Sequence, residues 1–73
     1  MKTLGDVQIG KSAVVARLHS EGPVRRRIMD MGLIKGTRVK VIKVAPIGDP
    51  IEISLRGYEL SIRKSEAELI EVE

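Results

Sequence analysis

The sequence predicts a mainly β protein: a small, strongly bent antiparallel barrel of about five strands, with one short α-helix after the first strand. Three observations predict it. Seventeen of the 73 residues are Val or Ile and Tyr58 is the only aromatic, a β-branched set that suits pleated strands. The seven glycines and three prolines are spread between short apolar segments, which marks tight loops rather than linkers. Only one stretch, Pro23 to Met31, carries helical periodicity. No internal repeat or low-complexity segment interrupts the chain, so residues 1–73 are read as a single domain. Closure into a barrel is expected to hide the edges that a flat five-strand sheet leaves open.

Each element follows from local chemistry. Val7 and Ile9 precede a Gly10-Lys11 turn signal. Ser12 to Leu18 reads as the first strand, with Val14, Ala16 and Leu18 on one face and Ala13, Val15 and Arg17 on the other. A polar loop, His19 to Gly22, leads to the helix. Pro23 suits a first helical turn because that N–H has no intrahelical partner. Val24, Ile28 and Met31 then fall at i, i+4 and i+7, one apolar stripe. Gly32 supplies a left-handed stop, and Leu33 can fold back onto the last turn. So short a helix must lie against a sheet.

Thr37 to Val44 alternates Val39 and Val41 against Arg38 and Lys40, then loses alternation at Ile42-Lys43-Val44, which predicts a bulge or a sharp bend. Ala45 to Pro50 is a loop with two prolines. Ile51, Ile53 and Leu55 alternate with polar residues, as do Tyr58, Leu60 and Ile62. A two-residue Arg56-Gly57 turn pairs Leu55 with Tyr58, Ile53 with Leu60 and Ile51 with Ile62 on one face. Lys64 to Leu69 is one helical turn at most, and Ile70-Glu71-Val72 is a closing strand.

Charge is uneven along the chain. Residues 1–45 hold ten Lys/Arg and three Asp/Glu, whereas residues 46–73 hold three and seven, so +7 and −4 sum to the formal +3. If the halves map to different faces the surface is dipolar; if the strands interleave, these are ordinary solvated faces.

Composition removes whole classes of chemistry. Without cysteine there is no disulfide, no zinc–thiolate site and no thiol catalysis. No apolar run approaches the roughly 20 residues of a membrane span, and no signal-peptide pattern opens the chain, which leads us to expect a cytoplasmic protein. There is no P-loop, dinucleotide fingerprint or G-x-S-x-G, and serines 12, 20, 54, 61 and 65 have no paired base nearby in sequence. His19 is the only histidine and falls in the polar loop. The reading is a protein that is not an enzyme.

Metal ligands are equally thin. His19 with Glu21 offers two weak donors. Glu66, Glu68, Glu71 and Glu73 cluster near the C-terminus, but strand alternation splays them and no glycine-bounded loop gathers them. No cofactor is expected. A nucleic-acid reading rests on Arg25, Arg26, Arg27, Arg38, Lys40 and Lys43 as phosphate contacts. With one tyrosine there is no stacking platform, so it ranks as the alternative.

The oddest local feature is Arg25-Arg26-Arg27 in the first turn of the expected helix, where the macrodipole favours anions. Arg26 and Asp30 can pair at i,i+4, in the less favourable order. Either the arginine stems cover the barrel end with their heads in water, or a partner's acidic surface relieves the repulsion. Ile47, a lone aliphatic in a proline-bounded loop, has no evident core role. We therefore take Arg25, Arg26, Arg27, Pro46, Ile47 and Gly48 as the candidate partner-binding residues.

These segments resemble a known family. Arg25 to Gly36 (RRRIMDMGLIKG) is similar to the R-x-x-L-x-x-[LM]-G-[LM]-x-x-G segment of the FeoA family, the small cytosolic component of bacterial ferrous iron transport. Val44 to Ile51 (VAPIGDPI) resembles its A-P-x-G-D-P-[IL] loop. Arg56 to Arg63 (RGYELSIR), followed by Glu66-Ala67, resembles its R-G-x-x-[IL]-x-[IL]-R-x-x-E-A ending. Lys35 departs from the pattern, where the family often has proline before the glycine. The resemblance implies an SH3-like fold and a non-enzymatic partner of FeoB, a membrane permease with a cytoplasmic G-protein domain. It implies membrane recruitment only through that partner, no small-molecule substrate and at most weak binding of ferrous iron or another divalent metal. A related domain closes the C-terminus of diphtheria-toxin-repressor-type metal regulators. Here the chain begins almost at the barrel, so the free-standing transport accessory is the expectation.

Overall fold

The computed structural model describes all 73 residues. Five antiparallel strands, β1 (Ser12–Leu18), β2 (Arg38–Val44), β3 (Ile51–Leu55), β4 (Tyr58–Ile62) and β5 (Ile70–Val72), form one sheet in the order β4-β3-β2-β1-β5. Helix α1 (Gly22–Asp30) follows β1, and the single turn α2 (Lys64–Ala67) links β4 to β5. The expected hairpin is present in the expected register, with Ile51 opposite Ile62, Ile53 opposite Leu60 and Leu55 opposite Tyr58. Its turn has positive φ at both Arg56 (49°) and Gly57 (84°), the twist that matches paired strands. The expected bulge in β2 lies between Val41 and Lys43 against β3.

Four features differ from the sequence reading or add to it. First, no ladder joins β4 to β5, so the bent sheet is not closed by hydrogen bonds. Second, β1 turns Ala13 and Val15 inward and leaves Val14, Ala16 and Leu18 half-buried, with its own register shift between Val15 and Arg17. Third, α1 buries Ile28 fully and its C-cap Met31 is partly buried, while Val24 is 44% exposed. With a helix this short, only its last turn reaches the core. Fourth, a 3-10 turn at Leu4–Asp6, too short to leave a periodic signal, places Leu4 in the core with no exposure.

The start of α1 also moves. It begins at Gly22, so the arginines occupy its fourth to sixth positions, and Arg27 falls in the last turn. There the carbonyl end of the dipole favours a cation, so the triplet is not confined to the first turn. The helix stops as expected. Gly32 takes φ +92°, its N–H reaches the Met29 carbonyl at 2.9 Å, and the Leu33 N–H reaches Ile28 at 3.3 Å. That reciprocal pair closes the helix and seats Leu33 in the core.

The core is aliphatic. Ile28, Leu33, Val39, Val41, Ile53 and Ile70 are fully buried, contributed by α1, its following loop and the three strands β2, β3 and β5. The strand order sets β1 and β2 of the basic half between β3-β4 and β5 of the acidic half. The two charged halves are interleaved.

Candidate functional site

The arginine triplet does not act as one patch, because successive residues on a helix diverge by about 100°. Arg25 turns towards the end of β1, where its Nη1 donates to the Leu18 carbonyl at 3.3 Å. Arg26 lies on the outer face beside Asp30 without reaching ion-pair distance. Arg27 turns the other way, and its Nη2 donates to Glu66 Oε2 of α2.

Glu66 is the hub that the sequence did not single out for this role. It is buried, and its Oε1 accepts the Arg63 N–H at 2.9 Å while Oε2 takes Arg27. Burial pushes its carboxyl up, but the hydrogen bonds from Arg27 and Arg63 and their positive charges outweigh it and hold it below the ordinary value. Asp49 does a parallel job for the loop: its Oδ1 accepts the Lys64 N–H at 3.0 Å. One carboxylate thus fastens α1 to α2, and the other fastens the 45–50 loop to α2.

The loop itself is closed by its own backbone. The Ala45 N–H reaches the Pro50 carbonyl at 3.0 Å and the Gly48 N–H reaches Ala45 at 2.7 Å, with Gly48 at φ +89°. That geometry holds Pro46, Ile47 and Gly48 at the tip, and Ile47 is 89% exposed. Between loop and helix runs an open groove of about 620 Å³. Arg27 of α1 and Met31 just after it form one wall, Ile47 and Pro50 the loop end, and Ser61 to Arg63 of the β4 side the other wall. Of the six candidate residues, Arg27 and Ile47 line this groove; Arg25 and Arg26 do not.

His19 lies exposed in the loop, as expected, and is tethered there. Its Nε2 lies 2.5 Å from Glu71 Oε1 and its backbone N–H reaches the Leu69 carbonyl at 2.7 Å, so it extends the β1–β5 pairing. That hydrogen bond, with the charge of His19 and Arg17, lowers the Glu71 carboxyl below its ordinary value despite desolvation. Glu71, and not Glu21, is therefore the histidine's partner. No place in the fold gathers three or more histidine or carboxylate side chains. No helix is long and apolar enough to cross a membrane.

Comparison with known proteins agrees with the fold. The FeoA domain model matches residues 2–73. A fusion protein of Porphyromonas gingivalis, joining Fe(2+) transport protein A to the Fe(2+) transporter FeoB, is 36% identical over 70 residues. That match covers 96% of this chain and only 8% of the relative. The solution structure of a FeoA-like protein from Clostridium acetobutylicum is 49% identical, with a TM-score of 0.90, covering 97% of this chain and 83% of that one. FeoA of Stenotrophomonas maltophilia, a prokaryotic SH3-domain protein crystallised with zinc, is 28% identical with a TM-score of 0.81. It covers 100% of this chain and 91% of that one.

Proposed function

We propose, from the premise that this chain belongs to the FeoA family, that it is a non-enzymatic accessory of bacterial ferrous iron uptake that docks on the cytoplasmic G-protein region of a FeoB-like permease. The observation that carries the reading is Ile47, 89% exposed at the tip of a loop locked by its own hydrogen bonds, beside the Arg27 wall of the groove. A large aliphatic held rigidly in water has no role in the free domain's core, and it fits the apolar anchor of an interface with a charged rim. The fusion relative supports the partner class, since one chain carrying both modules keeps them at high effective concentration. On this reading the protein works in the cytoplasm and meets the membrane only through its partner. Any influence on GTP turnover follows from binding the states of the G-protein domain with different affinity.

The test is a binding titration against the cytoplasmic region of the transporter, with short RNA and DNA as controls. Saturable binding of the transporter region is expected. Retention of nucleic acid at about 0.2 M salt, with no binding of the transporter, would favour the phosphate-contact alternative instead.

A further inference from the structure

The two edges of the open sheet are treated differently. The outer edge of β5 is covered by the chain's own start: the Val72 N–H donates to the Lys2 carbonyl at 2.9 Å and Thr3 bridges to Glu71. Nothing equivalent covers β4. The two-residue turn makes Leu55 and Tyr58 a hydrogen-bonded pair, so Tyr58, Leu60 and Ile62 bond to β3 while the backbone of Glu59 and Ser61 points away from it. Neither residue's N–H or C=O takes part in any of the hydrogen bonds outside the ladders. The groove that α1 forms with this side of the molecule includes Ser61 in its lining.

We infer that the groove receives an extended segment of the transporter's cytoplasmic region, which adds to β4 as a sixth strand. The inference rests on the docking reading above and specifies its mode. Main-chain bonds to Glu59 and Ser61 supply affinity, and alternate side chains supply selectivity. One face of the segment is aliphatic, lying against Met31 and Ile47. The other carries a carboxylate at the Arg63 end. Charge argues for that sign. Of the groove's own carboxylates, Glu66 is buried and engaged by Arg27 and the Arg63 N–H, and the half-buried Asp49 accepts the Lys64 N–H. Arg27 is committed to Glu66, which leaves Arg63, exposed and without an ion pair, as the groove's unmatched cation.

The experiment follows amide hydrogen exchange in the labelled chain, alone and with the transporter's cytoplasmic region, for wild type, Ser61→Pro and Ser61→Ala. Proline is tolerated where an edge N–H faces solvent, so Ser61→Pro should keep the fold while losing one inter-chain donor. The expected result is fast exchange at Glu59 and Ser61 in the free chain and at least about ten-fold slowing in the complex. Ser61→Pro should weaken binding about ten-fold and Ser61→Ala less than about two-fold. Binding without slowing at these amides would overturn strand addition and leave docking standing. Absence of binding altogether would overturn the docking reading and this one with it. Slowing in the free chain that grows with its concentration would assign the edge to a second copy, which also overturns the inference.

Discussion

The Tyr58 hydroxyl donates a 2.7 Å hydrogen bond to the Met31 carbonyl, so the chain's only aromatic ties the β3–β4 hairpin to the end of α1. The next residue makes room for it. A Cβ at Gly32 would lie 2.7 Å from the Tyr58 oxygen, on a backbone held at φ +92°. Tyr58→Phe should cost about 0.5–1.5 kcal/mol, the net value of one hydrogen bond. Gly32→Ala should cost more, from both the clash and the left-handed backbone. In the Tyr58→Phe background the clash disappears and only the backbone cost remains. A double-mutant cycle by denaturant unfolding measures this coupling; strictly additive values would contradict it.

Ile53 is fully buried at the centre of the hairpin, opposite Leu60. Ile53→Ala should cost about 2–5 kcal/mol through lost burial and the cavity left behind. A 73-residue domain without disulfides has little more than that to lose, so the variant should be largely unfolded. A melting temperature equal to wild type would refute the core assignment.

Glu66 makes stability depend on acid. Its carboxyl is held below the ordinary 4.5 in the folded protein, so the charged form is favoured by folding. Its contribution is complete above the unfolded value and is lost as pH falls from about 4.5 through the lower folded value. Glu66→Gln keeps an acceptor but sets its NH2 group among the Arg27 and Arg63 donors, and should cost about 1–3 kcal/mol at neutral pH. Unfolding midpoints taken from pH 7 to pH 3 should converge for the two proteins. Parallel profiles through that window would remove Glu66 from the acid response.

Anchor and rim should fail differently in the docking titration. Ile47→Asp places a charge where an apolar contact is expected, and should mainly speed dissociation. Changing Arg25, Arg26 and Arg27 together to Ala should slow association and flatten its salt dependence. Because Arg27 also holds Glu66, the triple variant's stability must be measured alongside. Stopped-flow association and dissociation rates separate the two effects. A triple variant with an unchanged association rate at low salt would exclude the arginines as a steering rim.

Sequence alone determined most of the sheet and one end of the helix. Strict alternation around Arg56-Gly57 admits one register, since a one-residue slip would turn Ile51, Ile53 and Leu55 out to water. The β2 bulge was legible as lost alternation at Ile42-Lys43-Val44, and the helix stop as Gly32-Leu33. All three are local signals, written within a few residues of where they act. Which carboxylates matter was not legible. Glu66 reads as one of four acidic residues near the C-terminus, and only the approach of α1 to α2, 39 positions apart in the chain, makes it the partner of Arg27. The same holds for Asp49 under Lys64 and for His19 beside Glu71, 52 positions away. Three consecutive arginines look like one patch in a linear string, yet helical rotation sends them in three directions. Pattern fixes how a segment folds because neighbours are bonded to one another; the pairing of polar groups from distant segments exists only once packing has brought them together.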